Sequence, residues 1–88
     1  TDRIEAMTDE TALESRFGLD DIQLTDDSKV RIRCNGKRQV LPRSVDEAVY
    51  TMCERGRFTP ADLAGYVVES RASLCRHLLK EGFITFAD

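Results

Sequence analysis

The chain has 88 residues, of which 41% are hydrophobic and 33% are charged. This length allows one small domain, because a chain of this size buries only about 60–65% of the surface that its unfolded form exposes. The composition is that of a globular protein and excludes a disordered or collagen-like chain. No apolar run is long enough to span a bilayer, and no charged start with an apolar run opens the chain. We therefore expect neither a membrane protein nor a signal peptide.

The net charge of −3 combines two segments of opposite sign. Residues 1–27 hold nine acidic and two basic side chains, whereas residues 28–88 hold seven acidic and eleven basic ones. The pattern divides the chain into an acidic leader, residues 1–27, and a mildly basic domain, residues 28–88. The leader is expected either to be solvated or to dock onto the basic surface as a competitor of its partner.

Three cysteines stand far apart, at positions 34, 53 and 75. An odd number at wide spacing does not indicate a disulfide framework and is typical of a reducing, cytoplasmic compartment. Cys53 and Cys75 fall on apolar helix positions, where a free cysteine acts as a small hydrophobic residue. A zinc site from Cys34, Cys53, Cys75 and His77 matches no standard ligand spacing, so no metal and no cofactor is expected.

The leader pattern predicts a helix followed by a connector. Apolar residues recur at roughly helical spacing at Ile4, Met7, Leu13 and Phe17. Gly18 is suited to end this helix, and Thr8 offers an alternative start for it. Residues 19–28 are polar and acidic with two separated apolar residues, which predicts a connector or a short edge strand.

The strongest local signal is a β-hairpin over residues 29–41. Asn35-Gly36 accepts the positive φ that both central positions of a type I′ turn require. The predicted open face of this hairpin carries Arg31, Arg33, Arg38 and Val40. Arg33 then lies opposite Arg38, and this like-charge pair is unfavourable unless a carboxylate or an anionic partner lies over it. A bulge that moves Val40 inward is the alternative.

Two helices are predicted after the hairpin. A capping box at Ser44 and Glu47 opens the first, which runs to about Arg55. Thr59-Pro60 starts the second, because threonine caps a helix and proline suits its first position. The inner side of the second helix is expected to hold Leu63, Tyr66 and Val67.

A third helix and a strand complete the predicted fold. Ser70 caps this helix, Gly82 closes it, and residues 83–86 form the strand. Pairing of that strand beside the hairpin would make a three-stranded sheet against three helices. The predicted fold is therefore α+β, a winged helix with an N-terminal helix, a β-hairpin, three helices and a C-terminal strand.

No catalytic arrangement is recognisable in the sequence. His77, the single histidine, lies beside Arg76 on the predicted third helix and has no orienting acid or nucleophile in any known pattern. Glycine-rich phosphate loops and metal-ligand motifs are missing from the sequence. The chain by itself is therefore expected to bind a partner rather than to be an enzyme.

One resemblance points to DNA. The residues F-T-P-A-D-L-A and S-R-A-S-L-C-R-H-L-L-K-E-G-F-I resemble the helix-turn-helix of bacterial winged-helix regulators. The resemblance implies DNA contacts from Ser70, Arg71, Ser73, Arg76 and His77. Too few residues follow Gly82 for the wing hairpin of such a regulator, and the acidic leader offsets the basic domain.

A second resemblance covers more of the chain. From about Asp27 to Phe86, the hairpin and the segments S-V-D-E-A-V-Y-T-M-C-E-R-G-R-F-T-P-A-D-L and S-L-C-R-H-L-L-K-E-G-F-I-T-F resemble the C-terminal winged-helix domain of JmjC-type (cupin-4) ribosomal oxygenases. This implies a non-catalytic domain beside a 2-oxoglutarate and iron dioxygenase domain that holds the iron ligands. The chain is also similar to peptide-recognition winged helices of modified-peptide biosynthesis, which add a peptide as a strand to the hairpin edge.

These patterns predict a non-catalytic module that binds a protein or peptide, as an accessory domain of a larger oxygenase or of a peptide-modifying system. The expected contact residues are Arg31, Arg33 and Arg38 on the hairpin and Arg71, Arg76 and Lys80 on the third helix. The alternative is a DNA-binding transcriptional regulator. A third hypothesis is a structural domain that supports or dimerises a larger enzyme.

Overall fold

The computed structural model describes residues 2–66 and 70–87, which form an α+β fold with two three-stranded sheets. The strands are β1 (Leu13–Ser15), β2 (Ile22–Leu24), β3 (Lys29–Cys34), β4 (Lys37–Pro42), β5 (Arg57–Phe58) and β6 (Ile84–Phe86). The helices are α1 (Asp46–Arg55) and α2 (Arg71–Glu81). Sheet A has the order β5-β1-β6 and sheet B the order β2-β3-β4, with every pair antiparallel.

This layout contradicts the predicted winged helix. The part of the chain that the structure describes contains two α-helices and six strands, not an N-terminal helix followed by a hairpin and three helices. The final strand is also misplaced in the prediction. β6 pairs with β1, with Leu13 opposite Phe86 and Ser15 opposite Ile84, and does not pair with the hairpin.

The predicted leader helix is wrong because its hydroxyl side chains bind the local backbone. Thr8 N donates to Thr11 Oγ1 at 2.9 Å, and Ser15 Oγ donates to Phe17 O at 2.8 Å. Such bonds offer the backbone an alternative to helical hydrogen bonds. Residues after Thr11 extend instead into β1, which gains ladder bonds from two neighbours, β5 and β6.

The predicted second helix is reduced to a single 3-10 turn, Pro60–Leu63. Its start is as expected, since Thr59 forms a capping box with Asp62. Gly65 weakens any continuation, because glycine costs about 1 kcal/mol relative to alanine inside a helix. Leu63 is buried and Tyr66 is exposed, whereas Val67 lies outside the described residues.

The hairpin prediction is confirmed. Asn35 and Gly36 have φ values of 50° and 82°, which is the type I′ geometry. The register pairs Arg33 with Arg38 and Arg31 with Val40 without a bulge. β2 adds to the other side of β3, so the acidic connector does contain the short edge strand that its two apolar residues indicated.

Both helices end where glycine predicts, and α2 begins directly after Ser70 as predicted, whereas α1 begins later than its predicted cap. Gly56 and Gly82 follow α1 and α2 with φ values of 74° and 85°. The Ser44–Glu47 capping box is wrong, because Ser44 lies in a 3-10 turn (Arg43–Val45) that leads directly into α1. No helix within residues 2–66 and 70–87 is long and apolar enough to cross a membrane.

Both sheets and both helices enclose one hydrophobic core. The largest fully buried side chains include Leu13, Ile32, Met52, Leu63, Leu78, Phe83 and Ile84. Phe83 packs edge-on against Phe17, with 6.4 Å between ring centroids. Since Leu13 and Phe17 belong to the segment predicted as a leader, that segment supplies core and not only charge.

Candidate functional site

The outward side of sheet B carries the three hairpin arginines that the sequence predicted as contact residues. Side chains alternate along a strand, so burial of Val30 and Ile32 in the core turns Arg31 and Arg33 outward on β3. On β4, Arg38 and Val40 share that side by the observed register. We call Arg31, Arg33 and Arg38 the arginine face. The Arg33 side chain is 59% exposed, so this face is open to a partner.

One carboxylate partly neutralises the arginine face. Arg33 Nη2 lies 3.8 Å from Asp21 Oδ1 and donates to Asp20 O at 3.2 Å. Arg31 Nη1 reaches Gln23 Oε1 at 3.5 Å. Arg38 has no ion-pair partner among the described residues. The like-charge pair of Arg33 and Arg38 is therefore balanced on the Arg33 side only.

A cleft of about 500 Å³ opens beside the hairpin turn. It is lined by Arg16, Asp21, Arg33, Cys34, Asn35, Gly36, Lys37 and Arg38. Four of these side chains are basic and one is acidic, so the cleft favours anionic groups. Lys37 Nζ also donates to Glu81 O at 3.1 Å, which ties the turn to the C-terminal end of α2.

The outer edge of β4 presents backbone groups with which no other strand of the described residues pairs. A type I′ turn closes with a hydrogen-bonded pair, and such pairs alternate with non-bonded pairs along an antiparallel ladder. Gln39 and Leu41 therefore bond to β3, in agreement with the bond from Arg43 N to Ser28 O at 3.1 Å. The N–H and C=O groups of Arg38 and Val40 point away from β3, and Val40 O accepts a long hydrogen bond from Gln39 Nε2 at 3.5 Å. No other strand in the described part of the chain pairs with this edge.

The β4 edge is also the longest sheet edge in the described residues. β4 has six residues, whereas the other edge strands β2, β5 and β6 have three, two and three. At β6, the Arg3 guanidinium lies 4.1 Å from the centre of the Phe86 ring. Pro42, at the end of β4, lacks an N–H group and lies at an outward position, where proline costs no ladder bond.

The α2 residues predicted for the same contact surface do not form one stripe with each other. Arg71 lies on the side of α2 that holds buried Leu74 and Cys75, which follow it by three and four residues along the helix. Lys80 is exposed near the other end, about 14 Å away at 1.5 Å per residue. Arg76 is half-buried, and its Nε is buried without a hydrogen-bond partner in the described structure.

Arg71 anchors the N-terminal segment to α2. Its Nε donates to Asp9 Oδ1 at 3.1 Å and its Nη2 donates to Asp9 Oδ2 at 2.7 Å. The hydrogen bond from Arg71 lowers the pKa of Asp9 below its ordinary value of 3.8. Asp9 O also accepts a bond from Ala61 N at 3.0 Å. This arginine therefore has an intramolecular role that its position in the sequence did not reveal.

The residues predicted for DNA contact are similarly divided. Ser73 and His77 are exposed on α2 and Ser70 is exposed just before it, while Arg71 and Arg76 are half-buried. In a helix-turn-helix a first helix crosses the phosphate backbone before the recognition helix. The segment predicted for that first helix contains the 3-10 turn Pro60–Leu63 instead.

No protein-family model, curated protein or solved structure matches this chain. Its function is therefore inferred from its own residues.

Three site residues were missed by sequence reasoning. Asp21 lies in the segment predicted as a connector, and Arg16 lies in the segment predicted as a helix. Their approach to the hairpin follows from the pairing of β2 with β3, which places residue 21 beside Arg33. Lys37 had a readable signal, since a residue that directly follows a two-residue turn lies at the hairpin tip.

The three cysteines are free thiols, of which Cys34 and Cys75 are buried and Cys53 is half-buried. Cys34 Sγ donates to Arg16 O and Cys53 Sγ donates to Phe17 O, each at 3.3 Å. Cys75 is completely buried in α2. No group of three or more histidine, cysteine, aspartate or glutamate side chains that could hold a metal occurs in residues 2–66 and 70–87. The cysteines therefore contribute to packing.

Burial of these thiols predicts a loss of stability at alkaline pH. Desolvation raises the pKa of Cys53 to about 11 and that of Cys75 to about 12, from an ordinary value of 9.0. The unfolded chain therefore releases these protons first. The thiol contribution to stability is complete below pH 9.0 and is lost as the pH rises through 11 to 12. Urea unfolding at several pH values measures this slope.

The matched control for this prediction is Cys75→Ala. The variant starts from a lower free energy of unfolding because it removes a buried side chain, but it has one titrating thiol fewer. Its stability should fall less steeply than that of the original chain above pH 9.0. Equal slopes in the two proteins would show that Cys75 does not titrate with a raised pKa.

Proposed function

We propose that this chain is a non-catalytic binding module that recognises an extended, negatively charged segment of a partner protein. The segment adds as a fourth strand to sheet B, along the outer edge of β4. Main-chain hydrogen bonds to β4 provide affinity, and neighbouring side chains provide selectivity. The arginine face lies on the outward side of the same sheet, beside the incoming strand.

The observation that carries this proposal is the outer edge of β4, with which no other described strand pairs, beside the uncompensated charge of Arg38. Arg38 and Val40 direct their N–H and C=O groups away from β3, as the register requires. Both residues are exposed. A strand edge of this kind is a template for another chain. Because Arg38 lacks an ion-pair partner in the described residues, an acidic strand is favoured over a neutral or basic one.

The charges on β4 also disfavour non-selective pairing of its edge with strands of other chains. Natural edge strands use lysine, arginine and proline to prevent aggregation, and β4 contains Lys37, Arg38 and Pro42. Two neighbouring copies of β4 would bring these positive charges together, which is unfavourable. An acidic segment avoids that repulsion, so the same residues that protect the edge select its partner.

The cellular setting is part of the same proposal. The resemblance to accessory domains of ribosomal oxygenases and of peptide-modifying systems gives the proposal no support, because those domains are winged helices and this fold is not. The free cysteines Cys34, Cys53 and Cys75 support a reducing, cytoplasmic location. DNA binding has less support, because Arg71 is held by Asp9 and the first helix of a helix-turn-helix is replaced by a turn.

The experiment that tests the proposal is a peptide selection followed by NMR. A phage library of random dodecapeptides is selected on the full chain, and recovered peptides are synthesised and titrated into the ¹⁵N-labelled protein. We expect the amide signals of Arg38 and Val40 to shift and to become protected from hydrogen exchange, because both N–H groups gain bonds. Signals from the exposed α2 residues Ser73 and His77 should remain in place.

A random-sequence DNA duplex is titrated separately into the same ¹⁵N-labelled protein, to test the regulator hypothesis. Shifts confined to α2 with a steep salt dependence would support the regulator hypothesis and contradict ours. Recovery only of peptides that leave β4 unperturbed would also contradict the proposal.

A further inference from the structure

We infer that the bound segment carries an acidic residue opposite Arg38 and, two positions away, an apolar residue opposite Val40. This inference rests on the proposed function, since it needs a strand on the β4 edge. It adds the residue pattern that the edge selects.

The register of the added strand follows from the free backbone groups. The N–H and C=O groups of Arg38 and Val40 are the ones available, so these two residues form the hydrogen-bonded pairs with the incoming strand. In an antiparallel pair, directly opposed residues place their side chains on the same face of the sheet, with Cβ atoms about 4.5–5.5 Å apart. The residues opposite Arg38 and Val40 therefore lie on the arginine face.

The charges across sheet B leave a position for one more carboxylate. A row of side chains crosses the sheet from Asp21 through Arg33 to Arg38. The row holds two guanidinium groups and one carboxylate, and that carboxylate, of Asp21, lies 3.8 Å from Arg33. An acidic side chain on the incoming strand, opposite Arg38, would place a carboxylate at the other end of this row. The planar guanidinium of Arg38 can bind that carboxylate through two hydrogen bonds.

The neighbouring position favours an apolar side chain. Val40 is 50% exposed on the outward side of an otherwise polar sheet face. An apolar residue opposite Val40 removes this surface from water, at about 25 cal/mol for each Å² buried. The selected segment therefore has an acidic residue opposite Arg38 and an apolar residue opposite Val40.

The direction of the strand fixes the order of the two residues. Every pair in sheet B is antiparallel, and antiparallel addition continues that arrangement. A strand that runs opposite to β4 meets Val40 before Arg38. Read from its N-terminus, the partner therefore has an apolar residue, any residue, and then aspartate or glutamate.

Charge reversal tests the inference on the peptides recovered from the dodecapeptide library. Arg38→Glu should weaken the binding of an acidic peptide about tenfold or more, because attraction becomes repulsion. The same peptide with its acidic residue replaced by lysine should bind weakly to the original chain and regain affinity for Arg38→Glu. Lys29→Glu makes the same change in net charge on an exposed residue of β3 and should have a smaller effect.

The outcomes separate the inference from the proposed function. Peptides that shift the β4 amides but bind equally to the original chain and to Arg38→Glu would overturn the pattern and leave strand addition intact. Loss of binding in Arg38→Glu without recovery by the lysine peptide would also overturn it, because the effect would then be structural. A selection in which no peptide perturbs β4 would overturn both.

Discussion

Replacement of Leu13 by alanine is expected to lower the free energy of unfolding by about 2–5 kcal/mol. Leu13 is 0% exposed and lies in the central strand of sheet A, opposite Phe58 on one side and Phe86 on the other. Truncation leaves a cavity between two other strands, and neither can collapse without losing its pairing with β1. Urea unfolding followed by circular dichroism measures the change.

The same substitution at Leu19 is the matched control. Leu19 belongs to the same N-terminal segment but is 54% exposed, so Leu19→Ala should change stability by less than about 1 kcal/mol. This pair distinguishes the observed fold from the predicted one, in which residues 1–27 form an acidic leader outside the domain. Similar small effects at both positions would contradict the placement of β1 in the core.

Replacement of Val40 by proline is expected to abolish the binding of selected peptides while the domain remains folded. Proline has no N–H group, so it removes a donor that the added strand needs. That N–H points away from β3, and its loss breaks no bond within sheet B. Loss of the main-chain bond together with steric obstruction by the ring should weaken binding by about tenfold or more, or at least about 1.4 kcal/mol.

Two variants serve as controls for this experiment. Val40→Thr changes the side chain but keeps the N–H group, and it should retain most of the binding. Gln39→Pro removes a donor that bonds to β3, and it should destabilise the fold itself. Isothermal titration with one selected peptide measures affinity, and the amide spectrum reports folding. A Val40→Pro variant that binds normally would show that the partner does not add to β4.

The elements that the sequence predicted well depend on neighbouring residues. Asn35-Gly36 specifies its turn because few other residue pairs accept positive φ at both positions. Gly56 and Gly82 end their helices for a related reason, since each occupies a conformation with positive φ. The arginine face followed correctly, because the turn sets the register and the register sets the side of each residue.

The elements that were predicted wrongly depend on distant partners. The segment around Leu13 has both a roughly helical spacing and an alternating one, with Leu13 and Phe17 buried and Ser15 half-buried on one side. The alternation of Leu13, Ser15 and Phe17 with exposed residues is by itself typical of a strand. The choice between the two depends on β5 and β6, which lie more than forty and seventy residues away in the chain.

The candidate site shows the same division between local and distant causes. The sequence alone determined the hairpin and its turn, the outward arginines and the glycine ends of both helices. Each of these depends on backbone conformation or on alternation over a few residues. Only the tertiary structure decided that β1 joins β6, that Asp21 approaches Arg33 and that Asp9 holds Arg71. It also decided that no other strand of residues 2–66 and 70–87 pairs with the outer edge of β4. Those contacts join residues far apart in the chain, and hydrogen bonding and apolar burial select them among many alternatives that no local pattern distinguishes.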